Sequence, residues 1–265
     1  MPTTESNGTA ISYNDSGGDG TPVLLVHAFP LNGAMWESQV QTCGDRYRLL
    51  VPDLKGFGGS DAPDDPSAYT MDGFADDLKA VMDACGLDRI VLAGLSIGGY
   101  IAFAFWRKYS SSVAGLVLAD TRAEPDPPEG VEKRTNQQNL VRSEGTEGLI
   151  EALTQALLSE KTRSNKPDVV DRAKQLMDNP AAGFVGALEA MKNRPDSTGD
   201  LAAIDVPVLV IVGEEDAITP PTAAQAMDEK LPNSKLIAIP EAGHLSSLEG
   251  PEAFNGALAE FLATF

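Results

Sequence analysis

The sequence predicts an α/β domain built on a mostly parallel sheet with helices on both faces. Short runs rich in Val, Ile and Leu, with little polar alternation, read as strands buried on both sides. Longer amphipathic stretches separate them, giving the β-then-α rhythm of such a sheet. The chain is also long enough, at 265 residues with 42% hydrophobic, to bury one large core.

The strand candidates are Val23–Val26, Arg48–Val51, Ile90–Ala93, Leu116–Ala119, Pro207–Val212 and Lys235–Ile239. Among the helices, Thr70–Cys85 opens on an N-cap-like Thr and ends at Gly86. Ser96–Lys108 starts directly after a strand. Thr219–Glu229 carries Pro220 in its first turn, and Pro251–Thr264 closes the chain. One stretch breaks the rhythm. From Arg122 to about Asp200 there is no convincing strand. It opens with the Pro-rich turn Glu124–Gly130 and continues with helical patterns such as Gly148–Leu158 and Val169–Met177. The expected organisation is a core of residues 1–121 and 201–265 with a helical cap at 122–200.

Composition narrows the function. The formal charge of −19 would repel phosphates, so nucleic acid and anionic membranes are excluded as expected partners. Such acidity is read as solubility or as adaptation to a salty habitat. No apolar run reaches the roughly 18–20 residues that cross a bilayer. Met1–Gly8 is polar and lacks a basic region, so no signal peptide and a cytoplasmic location are expected. Cys43 and Cys85 share no metal-like or redox-like spacing and are expected as free thiols. No cofactor or metal is expected. Gly56-Phe57-Gly58-Gly59 fails the dinucleotide fingerprint because Asp61 stands at the third glycine position.

The chemistry concentrates at Gly94-Leu95-Ser96-Ile97-Gly98. A G-x-S-x-G match is weak alone, but here it lies between a predicted strand and a predicted helix. A sharp turn there exposes the Ser96 oxygen at the carboxyl end of the sheet and needs small neighbours, which Gly94, Gly98 and Gly99 supply. A neutral serine needs a base. Of the two histidines only His244 lies downstream of Ser96, as the order serine, acid, histidine requires. The acid should follow a strand between them. Asp216, at the end of Gly213-Glu214-Glu215-Asp216, is the first candidate; Asp120, directly after Leu116–Ala119, is the second. Glu214 and Glu215 read as solvated turn residues. An oxyanion needs two aimed N–H donors. The amide of Ile97 and that of Phe29, in the loop His27-Ala28-Phe29-Pro30, are the candidates, with His27 bracing the loop.

These segments, with Asp53-Leu54-Lys55-Gly56-Phe57-Gly58-Gly59-Ser60 and Gly243-His244, resemble the successive landmarks of the α/β-hydrolase superfamily over about residues 20–260. The tail His244–Glu252 is similar to that of oxoadipate enol-lactonases and small bacterial carboxylesterases. The resemblance implies hydrolysis of a small-molecule ester or lactone through an acyl-enzyme on Ser96. One departure is Ala28 where the family usually has Gly, a change expected to narrow the acyl site. A C–C bond hydrolase or a cofactor-free perhydrolase would use the same three residues. A ligand-binding protein on this fold is the alternative from another class, and the presence of all three residues argues against it. Among the apolar helical positions of 122–200, Leu149, Leu153, Leu157, Phe184, Leu188 and Met191 are expected to divide between packing and lining the site.

Overall fold

The computed structural model describes all 265 residues. Eight strands form one sheet: β1 (Thr3–Ser6), β2 (Thr9–Asp15), β3 (Pro22–Val26), β4 (Arg48–Pro52), β5 (Ile90–Leu95), β6 (Val113–Ala119), β7 (Val208–Gly213) and β8 (Ser234–Ile239). Their spatial order is β1-β2-β4-β3-β5-β6-β7-β8. The six predicted strands are β3 to β8, and all pairings among them are parallel. β1 and β2 add an antiparallel hairpin on the β4 edge. This hairpin is absent from the sequence expectation. Its first strand is mostly polar and exposed, so it carries no hydrophobic run. The Asn7-Gly8 turn, with φ of 49° and 74°, is the local signal for it, because a two-residue hairpin loop of this kind needs positive φ at both positions.

Period-2 geometry explains why the strands look uniformly apolar. Leu24, Leu92, Leu116, Leu118 and Val210 belong to one buried cluster, with Phe74 and Leu78 of α2 (Met71–Ala84), Ile101 and Phe105 of α3 (Ile97–Tyr109) and Met227 of α9 (Pro221–Asp228). Their neighbours Val23, Leu25, Val91, Val117 and Ile211 face the other way, into a second cluster. That cluster includes Cys43 of α1 (Glu37–Cys43) and Phe254 and Leu258 of α11 (Pro251–Leu262). Residues of the inner strands thus find an apolar layer whichever way they point. Pro220 is the N-cap of α9 and Pro221 its first residue, two positions after the Thr219 start that the sequence suggested.

Between β6 and β7 run five α-helices and no strand: α4 (Pro128–Glu144), α5 (Glu147–Leu157), α6 (Glu160–Asn165), α7 (Pro167–Leu176) and α8 (Ala181–Lys192). Pro128 starts α4 inside the stretch read as a turn, at a first-turn position that tolerates proline. A four-residue helix, α10 (Ser246–Glu249), precedes α11. Cys43 and Cys85 are free. No helix is long and apolar enough to cross a membrane.

Candidate active site

Every sequence-predicted site residue lies just beyond the carboxyl end of a strand: Phe29 after β3, Ser96 after β5, Asp120 after β6, Asp216 after β7 and His244 after β8. Ser96 sits at φ 56° and ψ −113°, a conformation that non-glycine residues avoid. Its surroundings hold it there. Its N–H donates to the Ala119 carbonyl at 2.9 Å, and its own carbonyl accepts from Thr121 Oγ1 at 2.8 Å. The three glycines are sterically required. A Cβ on Gly94 would lie 2.2 Å from the Gly98 backbone, one on Gly98 2.6 Å from the Val26 carbonyl oxygen, and one on Gly99 2.4 Å from Thr121 Oγ1.

His244 Nε2 is 2.8 Å from Ser96 Oγ, and its Nδ1 is 2.8 Å from Asp216 Oδ2. A neutral ring with its proton on Nδ1 therefore donates to Asp216 and accepts from the serine hydroxyl. Asp216 is further held by the amides of Ile218 and Thr219 at 2.8 and 2.9 Å and by Thr219 Oγ1 at 2.7 Å. Burial works against the charge on both partners. At His244 the Asp216 charge and hydrogen bond outweigh burial and hold the ring above its ordinary value. At Asp216 burial is outweighed by His244 and Thr219, and the carboxyl stays below its ordinary value.

Asp120 does not reach His244. Its Oδ1 accepts from the Gly213 amide at 2.9 Å, and its Oδ2 accepts from the Ser246 amide at 3.1 Å and from Ser246 Oγ at 2.5 Å. Complete burial, reinforced by the nearby Asp216 charge, pushes its pKa up to about 8. It ties the ends of β6 and β7 to the loop that carries His244. The same loop is pinned from the other side. Glu249 accepts from the Gly243 amide at 3.0 Å and from the Ser159 amide at 2.8 Å, and the His244 amide donates to the Leu157 carbonyl at 2.9 Å. Thr219 and Glu249 have no role in the sequence reading. The sole hint of Glu249 is its place in the quoted tail, and Thr219 is marked only as the start of a helix.

The amides of Phe29 and Ile97 donate to no protein acceptor. For Ile97 this follows from its place in the first turn of α3, where no carbonyl precedes it in the helix. His27 is fully buried, with Nδ1 donating to the Ala28 carbonyl at 3.0 Å and Nε2 accepting from the Leu54 amide at 2.9 Å. Burial pulls its pKa down, in keeping with a neutral ring that braces the loop. Ala28 packs into the buried cluster beneath the sheet and does not line the site, so the expected narrowing is not seen. Glu214 and Glu215 are exposed.

A cavity of about 330 Å³ opens over Ser96 and His244. Its sheet side includes Phe29, Tyr100 and Ile218, and its other side comes from residues 122–200. Of the six apolar positions singled out there, Leu153, Leu157 and Met191 line it, while Leu149, Phe184 and Leu188 are buried in the core. No group of His, Cys, Asp or Glu is arranged to hold a metal ion.

Comparison with known proteins agrees with this architecture. A thermophilic esterase from Thermogutta terrifontis, in a malate-bound structure, is similar at 44% identity and a TM-score of 0.93, over 99% of this chain and 96% of that one. The enol-lactonase from Burkholderia xenovorans LB400 is similar at 25% identity and a TM-score of 0.91, over 99% and 100%. A putative non-heme chloroperoxidase from Synechocystis is 31% identical over 97% of each chain. The family model of the alpha/beta hydrolase fold matches residues 21–251. The chain belongs to the α/β-hydrolase family, with esterases and lactonases among its relatives.

Proposed function

We propose that the protein is a serine hydrolase of small carboxylic esters or lactones, with Ser96 as nucleophile, His244 as general base and Asp216 as the acid that orients the base. The observation that carries the reading is the continuous relay from Ser96 Oγ through His244 to Asp216, with both links at 2.8 Å. In the first step Ser96 Oγ attacks the carbonyl carbon while His244 Nε2 takes its proton. The negative oxygen of the tetrahedral intermediate is received by the N–H groups of Phe29 and Ile97, which the protein leaves free. Collapse expels the alcohol, protonated by His244, and leaves an acyl group on Ser96. Water, activated by the same ring, then releases the acid. Asp216 keeps the Nδ1 proton in place and stabilises the imidazolium without taking the proton.

In this reading residues 122–200 act as a cap that closes the acyl or alcohol pocket, and the two free thiols fit a reducing cytoplasm. The test is turnover of 4-nitrophenyl acyl esters and simple lactones, with mass spectrometry of the enzyme after reaction with an organophosphate. Ester turnover together with one phosphoryl adduct on Ser96 is expected. No turnover of any ester or lactone, or an adduct elsewhere, would overturn the assignment.

A further inference from the structure

Cations are scarce in this chain, 20 Lys and Arg against 39 Asp and Glu, yet they gather at one wall of the cavity. Arg122, Lys133 and Arg134 line it together with Ser96 and His244. Among them lies Asp126, itself on the lining, whose side chain is 2% exposed. Three guanidiniums converge on this one carboxylate: Arg122 at 2.7 Å, Arg194 at 2.9 Å, and Arg134 through Nε. Arg194 also lies over the ring of Tyr100, another lining residue, at 4.2 Å from the centroid. Glu129 is the one other carboxylate on the lining. The wall thus keeps an excess of positive charge in a half-buried place, which is costly unless an anion completes it. Its donors are also unspent. Arg122 uses one of its five N–H groups on Asp126, and its buried Nε has no partner. Arg134 Nη1 finds only the weak acceptor Met191 Sδ, at 3.3 Å.

The geometry points to an anion subsite at Arg122 and Arg134 that takes a carboxylate carried by the substrate, so that the preferred esters or lactones are acidic ones. This rests on the hydrolase reading above and names the substrate class of the same cavity. Asp126 fixes the two guanidiniums side by side, and the hold they already have on one carboxylate shows the group their planar forks suit. The subsite shares its cavity with Ser96, so an acid group bound there leaves the other end of a short molecule beside the nucleophile.

Two substrate pairs test it: mono(4-nitrophenyl) adipate against its methyl ester, and a carboxylate-bearing γ-butyrolactone against its methyl ester. In the wild type, kcat/KM for the free acid should exceed that for its neutral partner by at least about tenfold in one pair. A charge-assisted hydrogen bond carries roughly 10–100-fold, so the acid-to-neutral ratio should fall by that factor in Arg122→Gln and in Arg134→Gln. Arg122→Lys, which keeps the charge, should retain part of the preference. Asp126 keeps two arginine partners in either single variant. Each variant is read as a ratio on one enzyme sample, so a general loss of folded protein cancels. A second arm is independent of turnover: calorimetric binding of adipate to Ser96→Ala should weaken by the same factor when Arg122→Gln is added. A ratio at or below one in both pairs, a ratio unmoved by both substitutions to Gln, or adipate binding indifferent to Arg122 would each overturn the subsite. Turnover of neutral esters with no acid preference removes the subsite and leaves the hydrolase reading. Arginine-dependent adipate binding without any turnover does the reverse.

Discussion

The two sides of the cavity are built by different rules. On the sheet side, each chemical group stands at the end of a buried parallel strand, and its position follows from hydrogen bonds to neighbouring strand ends. On the side formed by residues 122–200, the groups are long side chains, Arg122 on the loop after β6, Lys133 and Arg134 on α4, Leu153 and Leu157 on α5, Met191 on α8. The first side can place a proton to within a hydrogen-bond length. The second can vary its side chains without disturbing the strands. The comparison therefore predicts that changes on the sheet side affect all substrates alike, and changes on the helical side alter the ratio between substrates.

The largest effects should come from the relay. Ser96→Ala and His244→Ala should each lower kcat by about 10⁴ to 10⁶, for every ester in a chain-length panel. Their effects should not add, since the two act as a unit. Steady-state rates of the single and double variants decide this, and a His244→Ala enzyme with more than a tenth of wild-type rate would break the assignment. The ring is held above its ordinary value, and in the proposed role it would act as a base only when neutral. The acid limb of kcat/KM should therefore lie above pH 6.5. Asp216→Asn comes next, at roughly 10³ to 10⁴ in kcat, because an amide can hold the imidazole in the wrong tautomer.

On the helical side the expected effects are smaller and selective. Leu153→Ala, Leu157→Ala and Met191→Ala should shift kcat/KM between short and long acyl chains by about 10–200-fold. Leu149→Ala, Phe184→Ala and Leu188→Ala should leave that ratio in place and lower stability by about 2–5 kcal/mol, since these side chains fill the core. Leu157 and Met191 are themselves nearly fully buried and should lose stability too, so the substrate panel is what separates the groups. Equal shifts on all substrates from the first three would make the helices a packing element.

The two sides also differ in what the sequence made legible. The inner strands, such as β3, β5 and β7, announce themselves because burial on both faces forces continuous Val, Ile and Leu runs. Ser96 and His244 were readable because the elbow demands glycines at set places and the chain has only one downstream histidine. Sequence put Asp216 ahead of Asp120 without settling the choice, since both lie just after strands and differ in three-dimensional reach. Lys133 and Arg134 gave no signal. A cation on a helix is ordinary, and only the fold brings it beside Arg122 and opposite Ser96. The β1–β2 hairpin was lost because its first strand is polar, although Asn7-Gly8 marked its turn.

The smallest effect on rate belongs to the carboxylate that the relay does not use. Asp120→Asn leaves both 2.8 Å links untouched, so kcat should fall by less than about tenfold, as for loss of a hydrogen bond outside the reacting atoms. A loss matching that of Asp216→Asn would move the acid to Asp120. Its mark should appear in the pH dependence of stability instead. Burial raises the carboxyl from an ordinary 3.8 to about 8 in the folded chain. A raised pKa stabilises the fold fully below the unfolded value, and that contribution is lost as pH rises through the folded value. Between about pH 4 and pH 8 the unfolded chain holds this carboxylate ionised while the folded chain must keep it protonated. Wild type should therefore lose stability relative to Asp120→Asn steadily across that window, by an amount on the order of a few kcal/mol. Paired denaturant titrations at intervals from pH 4.5 to 8.5 read the difference directly. Parallel curves would mean that the amides of Gly213 and Ser246 keep Asp120 ionised throughout, and its raised pKa would be refuted.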